Sequence, residues 1–273
     1  MKRLLALIPI LILSAAAQAQ MPAVQIEGEV VARNDDVVFR RIDAHTWVGT
    51  GKLMANESLY LVEGENKAVL IDAGTKIADL DKIVASITKK PVMLVATHAH
   101  PDHTGAAINS FAELYINPAD AGSQFVSHYK GKLKDLNDGQ IIDLGGRQLL
   151  VVFTPAHTPG STTFIDTAAG YGFSGDSFGS GNLLLFGKFS TLIETCRKTS
   201  ALMEKHRIKF FYPGHFMGKN VETKQRVDDE LTLSQDILSG KVKGQENPRA
   251  RMGMNLIVSA YGVRINYSEQ AFE

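Results

Sequence analysis

The chain has 273 residues, 44% of them apolar and 21% charged, which excludes a disordered, collagenous or low-complexity protein. Lys plus Arg and Asp plus Glu each number 29, so no basic excess exists to neutralise a polyphosphate, and nucleic-acid binding is disfavoured. The one cysteine, Cys196, can make neither an internal disulfide nor a Cys-rich zinc cluster.

Residues 1–19 have the layout of a secretory signal peptide. Lys2 and Arg3 form a positive start, Leu4 to Leu13 an apolar run, and Ala17-Gln18-Ala19 a small-residue cleavage pattern. The run is too short for a hydrocarbon core that needs about 20 residues. Cleavage before Gln20 is expected, leaving 20–273 as a single exported domain, periplasmic or secreted, with no stable membrane insertion. Without a disulfide, its stability must come from a large apolar core.

Val37 to Val48 alternates partly and reads as one long strand or a strand pair. Ser58 to Val62 and Ala68 to Ile71 read as a hairpin around Gly64-Glu65-Asn66. Ile77 to Thr88 has helical spacing and Pro91 stops it. Val92 to Ala96 reads as a short buried strand, followed by strands at Glu113 to Ile116, Gln148 to Phe153, Thr162 to Ile165 and Tyr171 to Phe173. Thr191 to His206 reads as a helix with Leu192, Cys196, Thr199 and Met203 on one face. Lys209 to Tyr212 is a further strand, and Val221 to Leu238 a second long helix. Strands first, then strands alternating with helices, suit two sheets between helical layers.

Chemistry concentrates just past strand ends. Thr97-His98-Ala99-His100-Pro101-Asp102-His103-Thr104-Gly105 puts three histidines and an aspartate into six positions. In extended chain His98 and His100 face one side, and Pro101 turns the chain so that Asp102 and His103 face a neighbouring point. Imidazole nitrogen and carboxylate oxygen suit zinc, and also iron or manganese. His157 follows a strand and a proline in Thr154-Pro155-Ala156-His157-Thr158-Pro159-Gly160-Ser161, and His215 does so in Tyr212-Pro213-Gly214-His215. Asp176 sits past another strand in Ser174-Gly175-Asp176-Ser177. Two metal sites sharing one ligand need about seven side chains, and these residues supply them.

These motifs, in this order, resemble the metallo-β-lactamase-fold hydrolase superfamily, and Ile71-Asp72-Ala73-Gly74 matches a recurrent strand end there. The resemblance implies a four-layer αβ/βα sandwich of two mixed β-sheets flanked by helices. It implies that His98, His100 and His157 hold one zinc ion, that Asp102, His103 and His215 hold a second, and that Asp176 bridges them. Asp72 would act from behind a ligand or as a plain strand-end residue. A divalent ion lowers the pKa of bound water to about 7, so a metal-held hydroxide would cleave a lactam, lactone, ester or thioester, with Asp102 orienting it as the catalytic carboxylate. Ser177, outside any G-x-S-x-G, reads as a loop or water-orienting residue.

The branches differ at single positions. Ala99 replaces the glutamate of flavodiiron members. Ser177 and Ser180 stand where the commonest β-lactamase group carries a cysteine and a lysine. Gly179 stands where lactonases carry a tyrosine, and Phe216 and Met217 give no support for a glutathione site. Gly51 to Asn56 and Phe178 to Phe186 are candidate pocket walls, either apolar or simply structural, and His45, His128 and His206 are taken as structural. The expected partner is a small molecule. Two other classes stay open: a mononuclear iron dioxygenase on a sulfur compound, and a non-catalytic metal-binding protein.

Overall fold

A computed structural model describes residues 26–273; the expected signal segment, 1–19, lies outside the described residues. The chain begins with β1 (Val30–Arg33), β2 (Val37–Asp43) and β3 (Thr46–Gly51). The alternating stretch from Val37 is therefore a strand pair, turned where Asp43 Oδ1 accepts the His45 amide. The hairpin β4 (Ser58–Glu63) and β5 (Ala68–Ile71) follows as the spacing predicts. Helix α1 spans Leu80–Ile87, three residues later than the apolar spacing suggested, because Asp79 adopts a left-handed conformation (φ 52°) that no α-helix can include.

Next come β6 (Val92–Val95), β7 (Glu113–Ile116), the short α2 (Pro118–Ala121), β8 (Lys132–Asp135), β9 (Ile141–Asp143) and β10 (Gln148–Phe153). Then follow β11 (Thr162–Asp166), β12 (Tyr171–Gly175), β13 (Asn182–Leu184), α3 (Phe189–Lys205) and β14 (Phe210–Pro213). The two-residue β15 (Glu222–Thr223) pairs with β14, and only then does α4 (Lys224–Leu238) begin, with the Thr223 hydroxyl accepting the Arg226 amide. The apolar pattern from Val221 thus spans a strand, a cap and a helix. The chain ends in β16 (Gln245–Arg251), β17 (Met254–Ala260) and β18 (Val263–Tyr267).

The first sheet runs β1 to β8 in chain order, antiparallel to β5 and parallel from β5 to β8. The second has the order β15-β14-β12-β11-β10-β9, with β12 and β14 parallel. Alternation along the strands makes the layers. Tyr60, Val62, Val69, Ile71 and Val95 face the second sheet and meet Leu149, Val151, Phe164 and Phe173 there. Leu59, Leu61, Leu70 and Leu94 face outward onto Leu80 and Val84 of α1. On the far side, Val152, Ile165 and Phe211 carry α3 and α4 through Leu192, Cys196, Met203, Val227 and Leu233. The central strands are buried on both faces, hence their continuous apolar runs. This is the expected αβ/βα sandwich of mixed sheets. A third sheet, β13-β18-β17-β16, joins the α3–α4 core through Leu183, Val258 and Ile265. The sequence reading assigned no element beyond Leu238, because the edge strand β16 is charged, exposed and contains Pro248. Among the described residues no helix is long and apolar enough to cross a membrane.

Candidate metal centre

Every candidate residue leaves the carboxyl end of a strand. Asp72 follows β5, His98 follows β6, His157 follows β10, Asp176 follows β12 and His215 follows β14. The pairs β5–β6 and β12–β14 are parallel neighbours, so their ends emerge side by side at one edge of the sandwich. Past β6 the chain tightens. The amides of His103 and Thr104 both donate to the His100 carbonyl, 3.0 and 2.9 Å away, and the Thr104 hydroxyl donates to the Ala99 carbonyl.

All seven predicted residues meet. His98 Nε2 and His157 Nε2 lie 3.1 and 2.9 Å from His100 Nδ1. Nitrogens of a tetrahedral zinc site, at about 2.0–2.1 Å from the ion, stand about 3.3 Å apart. A second group is formed by Asp102, His103 and His215, with His215 Nε2 3.3 Å from Asp102 Oδ2. Asp176 lies between the groups: Oδ1 is 3.6 Å from His103 Nε2, and Oδ2 is 3.3 Å from His215 Nε2 and 3.7 Å from His157 Nε2. Gly214 makes this approach possible, since a Cβ there would sit 2.2 Å from Asp176 Oδ1 and 2.6 Å from the His103 ring.

The electrostatics divide in the same way. Burial, with neighbouring imidazoles, keeps His98 well below the usual histidine range and His100 down at about 4; burial also lowers His157. That trio offers neutral lone pairs. Burial opposes charge on His103 too, but Asp176, Asp72 and Asp102 outweigh it and hold its pKa well above the usual value. His215 is likewise held up at about 10, against burial, by Asp176 and Asp102. Burial would raise the Asp176 carboxyl, yet His215 and His103 pull it well below the usual range.

Several buried side chains brace these residues. Asp72, itself at φ 66°, accepts the Thr97 amide at Oδ1 (2.7 Å), and at Oδ2 both the Thr97 hydroxyl and His103 Nδ1 (2.8 Å each). His103 Nδ1 is thereby committed, while His103 Nε2 is buried and has no hydrogen-bond partner. A buried imidazole nitrogen that makes no hydrogen bond and faces two carboxylates stands where a cation would replace its proton, so the donor set fits a divalent metal. His157 Nδ1 is held by the Leu184 carbonyl at 2.7 Å. The sequence reading missed Asp120. Its Oδ2 accepts the Ala99 amide and the Thr158 hydroxyl, and its Oδ1 the Gly160 amide, all within 2.9 Å. It thus ties the loop of His98 and His100 to that of His157. Also missed was Glu57, whose carboxylate accepts the amides of Thr75 and Met54. A lone acid outside a motif carries no sequence signal of burial. Ser177 is buried and shares a hydrogen bond with Thr154, so it is a loop brace. His45 is exposed beside Glu63, and Cys196 is fully buried in α3.

Residues 56–215, which contain all of these motifs, match the family model described as the metallo-beta-lactamase superfamily. The chain belongs to that superfamily. Similar relatives include the acyl-coenzyme A thioesterase MBLAC2 of Homo sapiens, 26% identical over 226 residues, covering 63% of this chain and 81% of the relative. A hydroxyacylglutathione hydrolase of Chelativorans sp. is 32% identical over 111 residues, covering 40% of this chain and 42% of its own. Among solved structures, a metallo-beta-lactamase from Pontibacter korlensis superposes with a TM-score of 0.57 at 20% identity, covering 73% of this chain and 99% of that one. As a member of this superfamily the protein is a hydrolase, and its candidate His/Asp groups are metal-binding in kind.

Proposed function

We propose that the protein is an exported, dinuclear zinc-dependent hydrolase that cleaves an acyl bond of a small molecule, with thioesters foremost among lactams, lactones, esters and thioesters. The observation that carries this reading is the pair of ligand groups flanking Asp176, one with three neutral imidazoles and the other with the orphaned His103 Nε2. His98, His100 and His157 would hold one ion, Asp102, His103 and His215 the other, with Asp176 shared. Bound there, divalent ions supply Lewis acidity and make hydroxide available near neutral pH. The chain supplies positioning. Asp102 orients the attacking water and takes its proton, and its carboxyl is kept below the usual range by His103 and His215 in spite of burial. Asp72 fixes the His103 ring. The similarity to an acyl-coenzyme A thioesterase along most of that relative supports thioesters as the first class. The apparent cleavage pattern before Gln20 supports export.

The test is metal content and turnover on the same protein. About two zinc ions per chain are expected, with thioester hydrolysis lost to a chelator and restored by zinc. One iron per chain with oxygen uptake would instead establish the dioxygenase class. Full metal loading with no turnover on an acyl panel would leave only a binding role. Exported protein beginning at Met1 in a mass spectrum would refute signal cleavage.

A further inference from the structure

Large apolar side chains exposed beside the metal centre need an account. Phe186 is 40% exposed. Its ring packs edge to face on two candidate ligands, at centroid distances of 5.3 Å from His100 and 5.5 Å from His157. Phe125 also meets the His100 ring edge to face, at 5.7 Å. Phe186 is not on a loose loop. The Leu185 amide donates to the Asn266 carbonyl and the Gly187 amide to Ala156, each at 2.9 Å, while the Leu184 carbonyl accepts His157 Nδ1. Gly187 is required, since a Cβ there would lie 2.8 Å from the Ala156 oxygen. The fold therefore pins the backbone on both sides of Phe186 and still leaves the phenyl ring in water.

Across the centre stands a second apolar pair. Leu53 and Met54 are 57% and 45% exposed, on the turn whose Ala55 carbonyl lies 3.3 Å from His215 Nδ1. Ala55 and Asn56 are both left-handed, and the buried Glu57 carboxylate holds the turn through the Met54 amide. Leu53, Met54 and Phe186 thus expose apolar surface on two loops that each touch candidate ligands. Surface of that kind beside a reaction centre marks a site for an apolar group.

We propose that Phe186, with Phe125, forms a subsite for an apolar acyl group of the substrate, with Leu53 and Met54 as further apolar surface on the His215 side of the centre. Phe186 is then a specificity-determining residue. This rests on the acyl-hydrolase reading above and adds the chemistry of the acyl group: hydrocarbon, not sugar or peptide. A buried methylene is worth about 0.8 kcal/mol, which converts to about fourfold in affinity per carbon.

The test uses the zinc-loaded protein and unbranched carboxylates from acetate to decanoate, the acid products of such a substrate. Calorimetric Kd values are expected to tighten by about threefold to fourfold per methylene over the first several carbons. Phe186→Ala should flatten that series, lowering the gain per carbon. Phe125→Ala should weaken the longer acids by a smaller factor, and Phe186→Tyr, which keeps the ring, should preserve the slope. A wild-type series with no dependence on chain length overturns the proposal. So does a Phe186→Ala variant with an unaltered slope, or one that changes only the oligomeric state in sedimentation. Chain-length-dependent binding together with no hydrolysis of any thioester, ester, lactone or lactam refutes the proposed function and supports the subsite.

Discussion

Asp72→Asn isolates the link between the second ligand group and the residue behind it. In the wild type, Asp72 Oδ2 accepts a hydrogen bond from His103 Nδ1 at 2.8 Å, so the proton that a metal would displace is the one on Nε2, which faces Asp102 and Asp176. The asparagine is nearly isosteric. Its carbonyl can still accept the Thr97 amide where Oδ1 does now, at 2.7 Å. Its NH2 then faces His103 and donates, so Nδ1 must accept and the ring proton moves to Nε2. A protonated Nε2 cannot ligate a metal. Loss of such a supporting partner costs about 10- to 100-fold in metal affinity, or about 1.4–2.7 kcal/mol. The assay is competition with a chromophoric zinc chelator, alongside thermal unfolding of the metal-free protein. The expected result is one ion bound as in the wild type and the other weakened by that factor. Wild-type affinity for both ions in Asp72→Asn would refute the tautomer argument.

Other perturbations address neighbouring features. Asp120→Ala removes three hydrogen bonds between the loops of His98–His100 and His157, and should weaken the first ion by about tenfold; zinc competition reads it, and unchanged affinity removes Asp120 from the bracing set. Asp102→Ala should lower turnover by at least a hundredfold with the fold retained by circular dichroism; wild-type turnover would refute its role. Gly214→Ala should cut both metal content and activity, because the new methyl group collides with Asp176 and His103; normal zinc stoichiometry would contradict the close approach. Glu222 and Glu230 form a buried acidic pair, with Glu222 pushed up to about 8 by burial, against the pull of Arg226, and Glu230 raised by burial and by Glu222. The folded state holds those protons more tightly than the unfolded chain, so the stability they contribute is complete below about pH 4.5 and is lost as pH rises to about 8. Across that interval the pair should make stability fall as pH rises, a decline that Glu222→Gln should flatten in urea titrations. Parallel pH profiles for the two proteins would overturn that assignment.

The chain pattern determined much by itself. Short apolar runs bounded by turn residues marked the hairpin at Ser58 to Ile71 and the strands at Glu113 to Ile116 and Gln148 to Phe153, because strand composition and turn chemistry are local properties of the chain. Chemically costly residues grouped past those strands picked out His98, His100, Asp102, His103, His157, Asp176 and His215, since several histidines and acids at strand ends are rarely idle. Helix boundaries were less legible. Nothing in Ile77-Ala78-Asp79 announces a left-handed Asp79, and the apolar spacing around Val221 cannot distinguish β15 from the first turn of α4. Only the tertiary structure decided the rest. His98, His157 and His215 come from two sheets, and their approach depends on strand order and on a glycine at 214. Asp120, Glu57 and Glu222 acquire their roles by burial against distant loops, a property that no neighbour in sequence encodes. Phe186 presents the same contrast in reverse: its composition suits a core, and only the hydrogen bonds that pin Leu184, Leu185 and Gly187 leave it in water beside His100 and His157.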